Sequence, residues 1–124
     1  MTTSSIATGI PKVIDFQAAH PEALHYHPDA DRILEGDPAQ SLITLFSSAD
    51  GRFHSGIWEC KPGKWRVVFS ESEFVHLIAG VMVVASDDGS SQTFGAGDAF
   101  VCPAGFTGTW HVLETARKHF AYYE

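Results

Sequence analysis

At 124 residues, with 8 basic against 15 acidic side chains and a formal charge of −7, the chain has the length of one domain and lacks the basic footprint that nucleic acid requires. Two cysteines, Cys60 and Cys102, cannot build a disulfide framework or a zinc site by themselves, and they fit a reducing compartment. The longest apolar run, residues 74–85, is interrupted by His76 and Gly80 and is too short to cross a bilayer, and residues 1–8 lack the shape of a signal peptide, so the expectation is a soluble cytoplasmic protein with no membrane partner.

In chain order, residues 1–9 are small and polar and read as a loose start. Residues 11–16 carry the first strand-like run. Residues 17–31 hold three histidines and two prolines without a period and read as a surface loop. Residues 32–36 suit a short strand or a turn of helix, which Gly36-Asp37-Pro38 breaks. From Ser41 the pattern becomes regular, with strands predicted over 42–46, 53–60, 65–69, 73–78, 81–85, 92–94, 99–102, 107–113 and 119–123. Ala49-Asp50-Gly51, Lys61-Pro62-Gly63, Asp87-Asp88-Gly89 and Pro103-Ala104-Gly105 supply turns between them. Short strands at this spacing, with no amphipathic helix, imply an all-β sandwich or barrel of about nine to ten strands. The division expected is an arm over 1–39, irregular apart from a first strand, and a barrel over 40–124.

Gly97, five residues, Pro103-x-Gly105 and then Gly108 resembles the second motif of the cupin superfamily, with Gly108 in the place of a histidine. Glu73 and Gly80, seven residues apart, match the second half of the first cupin motif, and Gly63 matches its start. Counting back from Glu73, the usual His-x-His pair falls on Val67 and Phe69. The wording around Trp58-Glu59-Cys60, Glu73-Phe74-x-His76 and residues 97–110 is similar to small single-domain cupins grouped with ureidoglycine aminohydrolase and the ethanolamine-utilisation cupin. The resemblance implies a single-domain jelly-roll barrel and a homodimer. Ureidoglycine aminohydrolase holds manganese through Glu, two His and Gln, a set this sequence does not reproduce. Of the positions Val67, Phe69, Glu73 and Gly108, only Glu73 can bind metal, so the expectation is no metal and no cofactor, with a divalent metal as the alternative.

If Glu73 points into the barrel, as the resemblance implies, alternation along the strands turns Trp65, Val67 and Phe69 inward on one side and Gly108 and Trp110 on the other. Gly108 would then leave space where a histidine would stand. These six residues are the predicted ligand-binding set, and apolar walls with few polar groups suit a small molecule. Desolvation in such a wall disfavours a charged carboxyl, which makes Glu73 the candidate general acid or base. The competing expectation is a packed barrel, with the aromatic residues as filler and Glu73 bonded to a backbone group or to Arg66. His25 and His27 form the one His-x-His pair, outside the motif. His76 and His111 take the outward parity. Cys102 reads as inert packing. The functional expectation is a metal-independent small-molecule-binding protein with acid/base chemistry through Glu73. The alternatives are a metal-dependent enzyme on a small nitrogenous or carboxylate metabolite, and a non-catalytic regulatory or assembly module.

Overall fold

The computed structural model describes residues 9–124; the first eight, read as the loose start of the arm, lie outside the described residues. Among the described residues there are nine strands and one 3-10 turn, joined in a single curled antiparallel sheet, which is the expected all-β jelly roll. The strands are β1 (Leu24–Tyr26), β2 (Ile33–Gly36), β3 (Gln40–Ser47), β4 (Phe53–Cys60), β5 (Gly63–Val68), β6 (Ser72–Ser86), β7 (Ser91–Gly95), β8 (Ala99–Cys102) and β9 (Thr107–Tyr123).

The two longest strands organise the sheet. Along one edge β9 pairs with β6 from Gly108 to Tyr123. Along its other edge it pairs first with β5, Trp65 opposite Trp110, and then with β4, Trp58 opposite Lys118. The far edge of β6 is shared by β8, which covers Glu73–His76, and β7, which covers Val81–Ala85. Side chains from both long strands therefore meet on one concave face, where Trp58, Trp65, Val75, Leu77, Met82, Trp110, Val112 and Phe120 form the buried core.

Two pairs of strands predicted separately are continuous. Residues 73–78 and 81–85 belong to one strand, because Gly80 adopts φ +92° inside a series of register shifts rather than ending the ladder. The shifts also change which parity faces inward: Leu77 is buried before them and Met82 after them. Residues 107–113 and 119–123 are likewise one strand, since the span between them contains no turn-forming Gly or Pro to interrupt pairing.

The arm departs most from expectation. Residues 11–16 form no strand, and the first strand lies instead within the predicted loop, where Leu24–Tyr26 pairs with β3. The segment read as strand or helical turn is both in succession: a 3-10 turn, Ala30–Arg32, leads into β2, which pairs with β5. The arm thus extends the sheet at both of its ends.

Candidate functional site

A cavity of about 250 Å³ opens on the concave face, lined by residues of β1, β3, β4, β5, β6 and β9. Its walls include Trp65, Val67, Phe69, Glu73 and Trp110, five of the six predicted site residues. The sixth, Gly108, is not in the lining, and the expectation of free space there is overturned. A Cβ at Gly108 would stand 2.0 Å from the carbonyl oxygen of Ala85 and 2.9 Å from the Phe106 ring, so this glycine marks a close approach of β9 to the end of β6.

The aromatic wall is larger than predicted. Trp58, from β4, packs its ring 5.9 Å from Trp110 and 6.3 Å from Trp65, and Trp65 lies 6.3 Å from Trp110. Phe69 sits 5.4 Å from Trp110. These rings pack on one another and also face the cavity, so filling the barrel and lining a site are not alternatives here. Gln40 is buried beneath them, and its Oε1 accepts from the Trp58 indole N–H at 2.8 Å. The bond fixes the orientation of the amide, because only the oxygen can accept. Burial pushes the Tyr26 phenol, at the rim, up to about 12.

The charged centre of the site is a pair. Lys118 Nζ donates to Glu73 Oε2 at 2.6 Å, and both side chains are almost wholly enclosed. The same ammonium lies over two indole faces, 4.3 Å from the Trp58 centroid and 4.4 Å from that of Trp110. A desolvated cation between aromatic faces gains about 2 kcal/mol or more from each favourable contact. The partner of Glu73 is therefore neither a backbone group nor Arg66. Arg66 faces outward and forms a two-pronged bridge to Asp87, both bonds 2.8 Å.

Sequence reasoning missed Lys118, and the signal that would have found it is plain in β9. Gly108, Trp110, Val112, Ala116, Lys118 and Phe120 are buried and all even-numbered. Carrying the inward parity of Trp110 through the exposed stretch 113–115 places Lys118 inside. Reading two strands instead of one interrupted the count.

The cupin resemblance raises the question of a metal, and the side chains answer it by their chemistry. Val67 cannot donate, Gly108 has no side chain, and Phe69 packs on Trp110. The one carboxylate at a motif position already holds an ammonium, whose charge opposes a second cation. Among the described residues, no three His, Cys, Asp or Glu side chains converge elsewhere as a metal-binding group. The donor set at the motif positions does not fit a divalent ion, which ordinarily takes at least three protein ligands.

The remaining histidines lie away from the cavity. His27 pairs with Asp37 at 3.0 Å, and its neighbour in the motif, His25, is an outward residue of β1 opposite Ser41. His76 and His119 face each other across β6 and β9, ring centroids 6.5 Å apart, with Phe16 of the arm 5.0 Å from His119. Burial and then the neighbouring His76 hold His119 below the usual histidine range. His111 lies 3.9 Å from Glu35. Both cysteines are buried, and desolvation pushes Cys60 up to about 12 and Cys102 up to about 11.

Comparison with known proteins places this geometry in a family. The family model described as the EutQ-like cupin domain matches residues 47–120. No curated protein matches the chain. Among solved structures, a protein of unknown function of the DUF861 family from Pseudomonas syringae pv. tomato superposes with a TM-score of 0.77 at 23% identity, over 88% of this chain and 46% of that one. This chain therefore spans about half the length of that protein. The EutQ protein of Clostridium difficile gives 0.62 at 20% identity, with 79% of each chain covered. A DUF861 family protein from Thermotoga maritima is 30% identical over 52% of this chain and 73% of its own, with a TM-score of 0.51.

Proposed function

The chain belongs to the EutQ-like cupin domain family, and from that premise we propose that it binds a small molecule in the concave cavity without a metal, with Glu73 as its acid/base group. One observation carries the reading: the charged pair Glu73–Lys118 sits in a mainly aromatic and aliphatic wall that holds few other polar groups, among them Gln40 and Glu71. In a cavity of this kind a few fixed polar groups orient a ligand while the apolar walls supply affinity. The ammonium stands in for the positive charge that a metal supplies in metal-dependent cupins, and the hydrogen-bonded carboxylate is in place to exchange a proton with it or with a ligand. The likeness to ureidoglycine aminohydrolase read from the motif wording suggests a small nitrogenous compound as one ligand to try. That enzyme's activity is not carried over, since its ligand set is not reproduced.

The test is direct. Tryptophan fluorescence should respond to a bound small molecule, since three indoles line the cavity, and Glu73→Gln should weaken that response more than it lowers the melting temperature. Metal analysis of the protein as purified should give well below one equivalent of transition metal. Stoichiometric metal that disappears in Glu73→Ala would reverse the reading in favour of a metal-dependent enzyme.

The proposal includes a cytoplasmic homodimer. Free, buried thiols suit a reducing compartment. Phe74 and Ile78, on the outer face beside His76, are 48% and 37% exposed, and apolar groups so placed favour cover by a second copy. A monomer by light scattering at tens of micromolar (on the order of the concentrations where standard-sized interfaces persist) would remove the dimer.

A further inference from the structure

Resting on the reading of the cavity as a small-molecule site, we propose that Lys118 is a catalytic residue that condenses with neutral aldehydes or ketones to form an imine. Three features of the site converge on a carbonyl. The first is the amine itself, whose Nζ is 2.6 Å from a carboxylate able to take its proton. Transfer within the pair converts two charged groups into two neutral ones and leaves a lone pair on nitrogen, the form in which a lysine attacks carbon. The second is the surroundings. Lys118 makes its hydrogen bond to Glu73, and its ammonium otherwise faces the rings of Trp58 and Trp110, so little competes with an entering electrophile. The third is Gln40. Its oxygen is held by the Trp58 indole, which leaves its NH2 group to donate to a carbonyl oxygen in the same cavity.

Packing alone does not call for this pair. A buried ion pair is no more stabilising than well-packed apolar side chains of similar volume.

The step balances without a further reagent. Glu73 takes a proton from the Lys118 ammonium, and the amine nitrogen bonds to the carbonyl carbon as the π electrons move to oxygen. The new bond leaves the nitrogen positively charged, and one of its protons passes to that oxygen, which gives the hydroxyl of a neutral carbinolamine. The Glu73 carboxyl returns its proton to this hydroxyl, the C–O bond breaks, and water leaves. An iminium on Lys118 and an ionised Glu73 remain. The walls select the class. Flat or apolar carbonyl compounds suit the indoles, whereas 2-oxo acids meet the acidic side chains of Glu71 and Glu73 on the same lining.

The experiment uses benzaldehyde with a hydride reductant, read by intact mass and by peptide mapping over the chain's four lysines, Lys12, Lys61, Lys64 and Lys118. Lys118 should be alkylated at least about tenfold faster than any other lysine, the advantage that positioning in a site confers. Benzamide, which cannot condense, should protect it, and pyruvate should label it less than benzaldehyde does. Glu73→Gln should slow labelling by about a hundredfold, the lower range for loss of a general acid or base. Lys118→Arg should abolish the site labelling and leave Lys12, Lys61 and Lys64 labelled as before, which identifies the site signal even if Glu73→Gln fails to fold. Even labelling of all four lysines, or a spared Lys118, would overturn the proposal. If benzamide still perturbs the fluorescence in that case, the cavity reading stands and only the imine falls. If benzamide does nothing either, both fall.

Discussion

Glu73 and Lys118 are joined at 2.6 Å although they are not register partners: Glu73 lies opposite Tyr122, and Lys118 lies opposite Leu77. Each long side chain leans along the concave face toward the other, over the intervening Val75–Phe120 pair. The ion pair thus ties distant points of the β6–β9 ribbon on the inner face, in addition to the backbone ladder. Removing one member strands the other charge in an apolar wall.

Lys118→Met should therefore cost about 3–5 kcal/mol in urea-induced unfolding at neutral pH, the range for leaving a buried charge unpaired. The combined variant Glu73→Leu with Lys118→Met should recover most of that loss and end near the wild type or above it. Full additivity of the two single changes in the double-mutant cycle would show that the pair is not coupled.

At Gly108, restoring the histidine of the cupin motif should not create a ligand. The Cβ alone meets the Ala85 carbonyl at 2.0 Å, and the obstacle is backbone, which cannot swing aside. Gly108→Ala should destabilise by about 1–3 kcal/mol or more, as overpacking does. Gly108→His should do worse and bind no added zinc by calorimetry. A folded Gly108→His protein with tight zinc binding would contradict the close approach.

The legible parts of this molecule were those where local chemistry decides the outcome. Strands Phe53–Cys60 and Ala99–Cys102 end as the turn residues predict, because Gly and Pro act through the backbone within two or three residues. Inward placement of Trp65, Val67, Glu73 and Trp110 followed from alternation anchored on the motif glycines. What stayed hidden depends on long-range pairing. Residues 11–16 look like a strand, yet they pair with no strand among the described residues, whereas Leu24–Tyr26, amid histidines and prolines, is strand because β3 offers its edge. β-propensity measures fit to a surface that the local sequence does not specify. Gly80 reads from the sequence as a bend between residues 73–78 and 81–85, and the fold uses it as a bulge within one ladder. Lys118 disappeared with the false break in β9, Tyr26 with the treatment of the arm as separate from the site, and Gln40 because it precedes the strand predicted over 42–46.

Both thiols should resist alkylation in the folded protein. Cys60, pushed up to about 12, and Cys102, up to about 11, are protonated at pH 8, and the thiolate is the nucleophile. Iodoacetamide at that pH should leave the native mass unchanged over the time in which the urea-unfolded chain takes up two labels. Rapid single labelling of the native protein would mean that one site opens without global unfolding.

Acid should weaken the outer seam through His119. Its folded value is depressed below 6.5 by burial and by neighbouring positive groups, so the unfolded chain binds its proton more readily. Stability is then fully present above the unfolded value and is lost as pH falls through 6.5 toward the folded value. His119→Gln should flatten the urea midpoint between about pH 7 and 5. An unchanged slope would shift the acid sensitivity to other groups.

The continuity of Thr107–Tyr123 also sets an order of events. β4, β5 and β6 each precede β9 in the chain, and all three take their longest ladder from it: Phe53 pairs with Tyr123, Val68 with Thr107 and Ser86 with Gly108. During synthesis those strands emerge with bare edges and wait for a partner not yet made. Contacts of such large sequence separation place folding on the slow side, in about milliseconds to seconds. The nascent chain is most prone to pair wrongly before residue 107 has left the ribosome, and a holding chaperone would have most to protect in that interval.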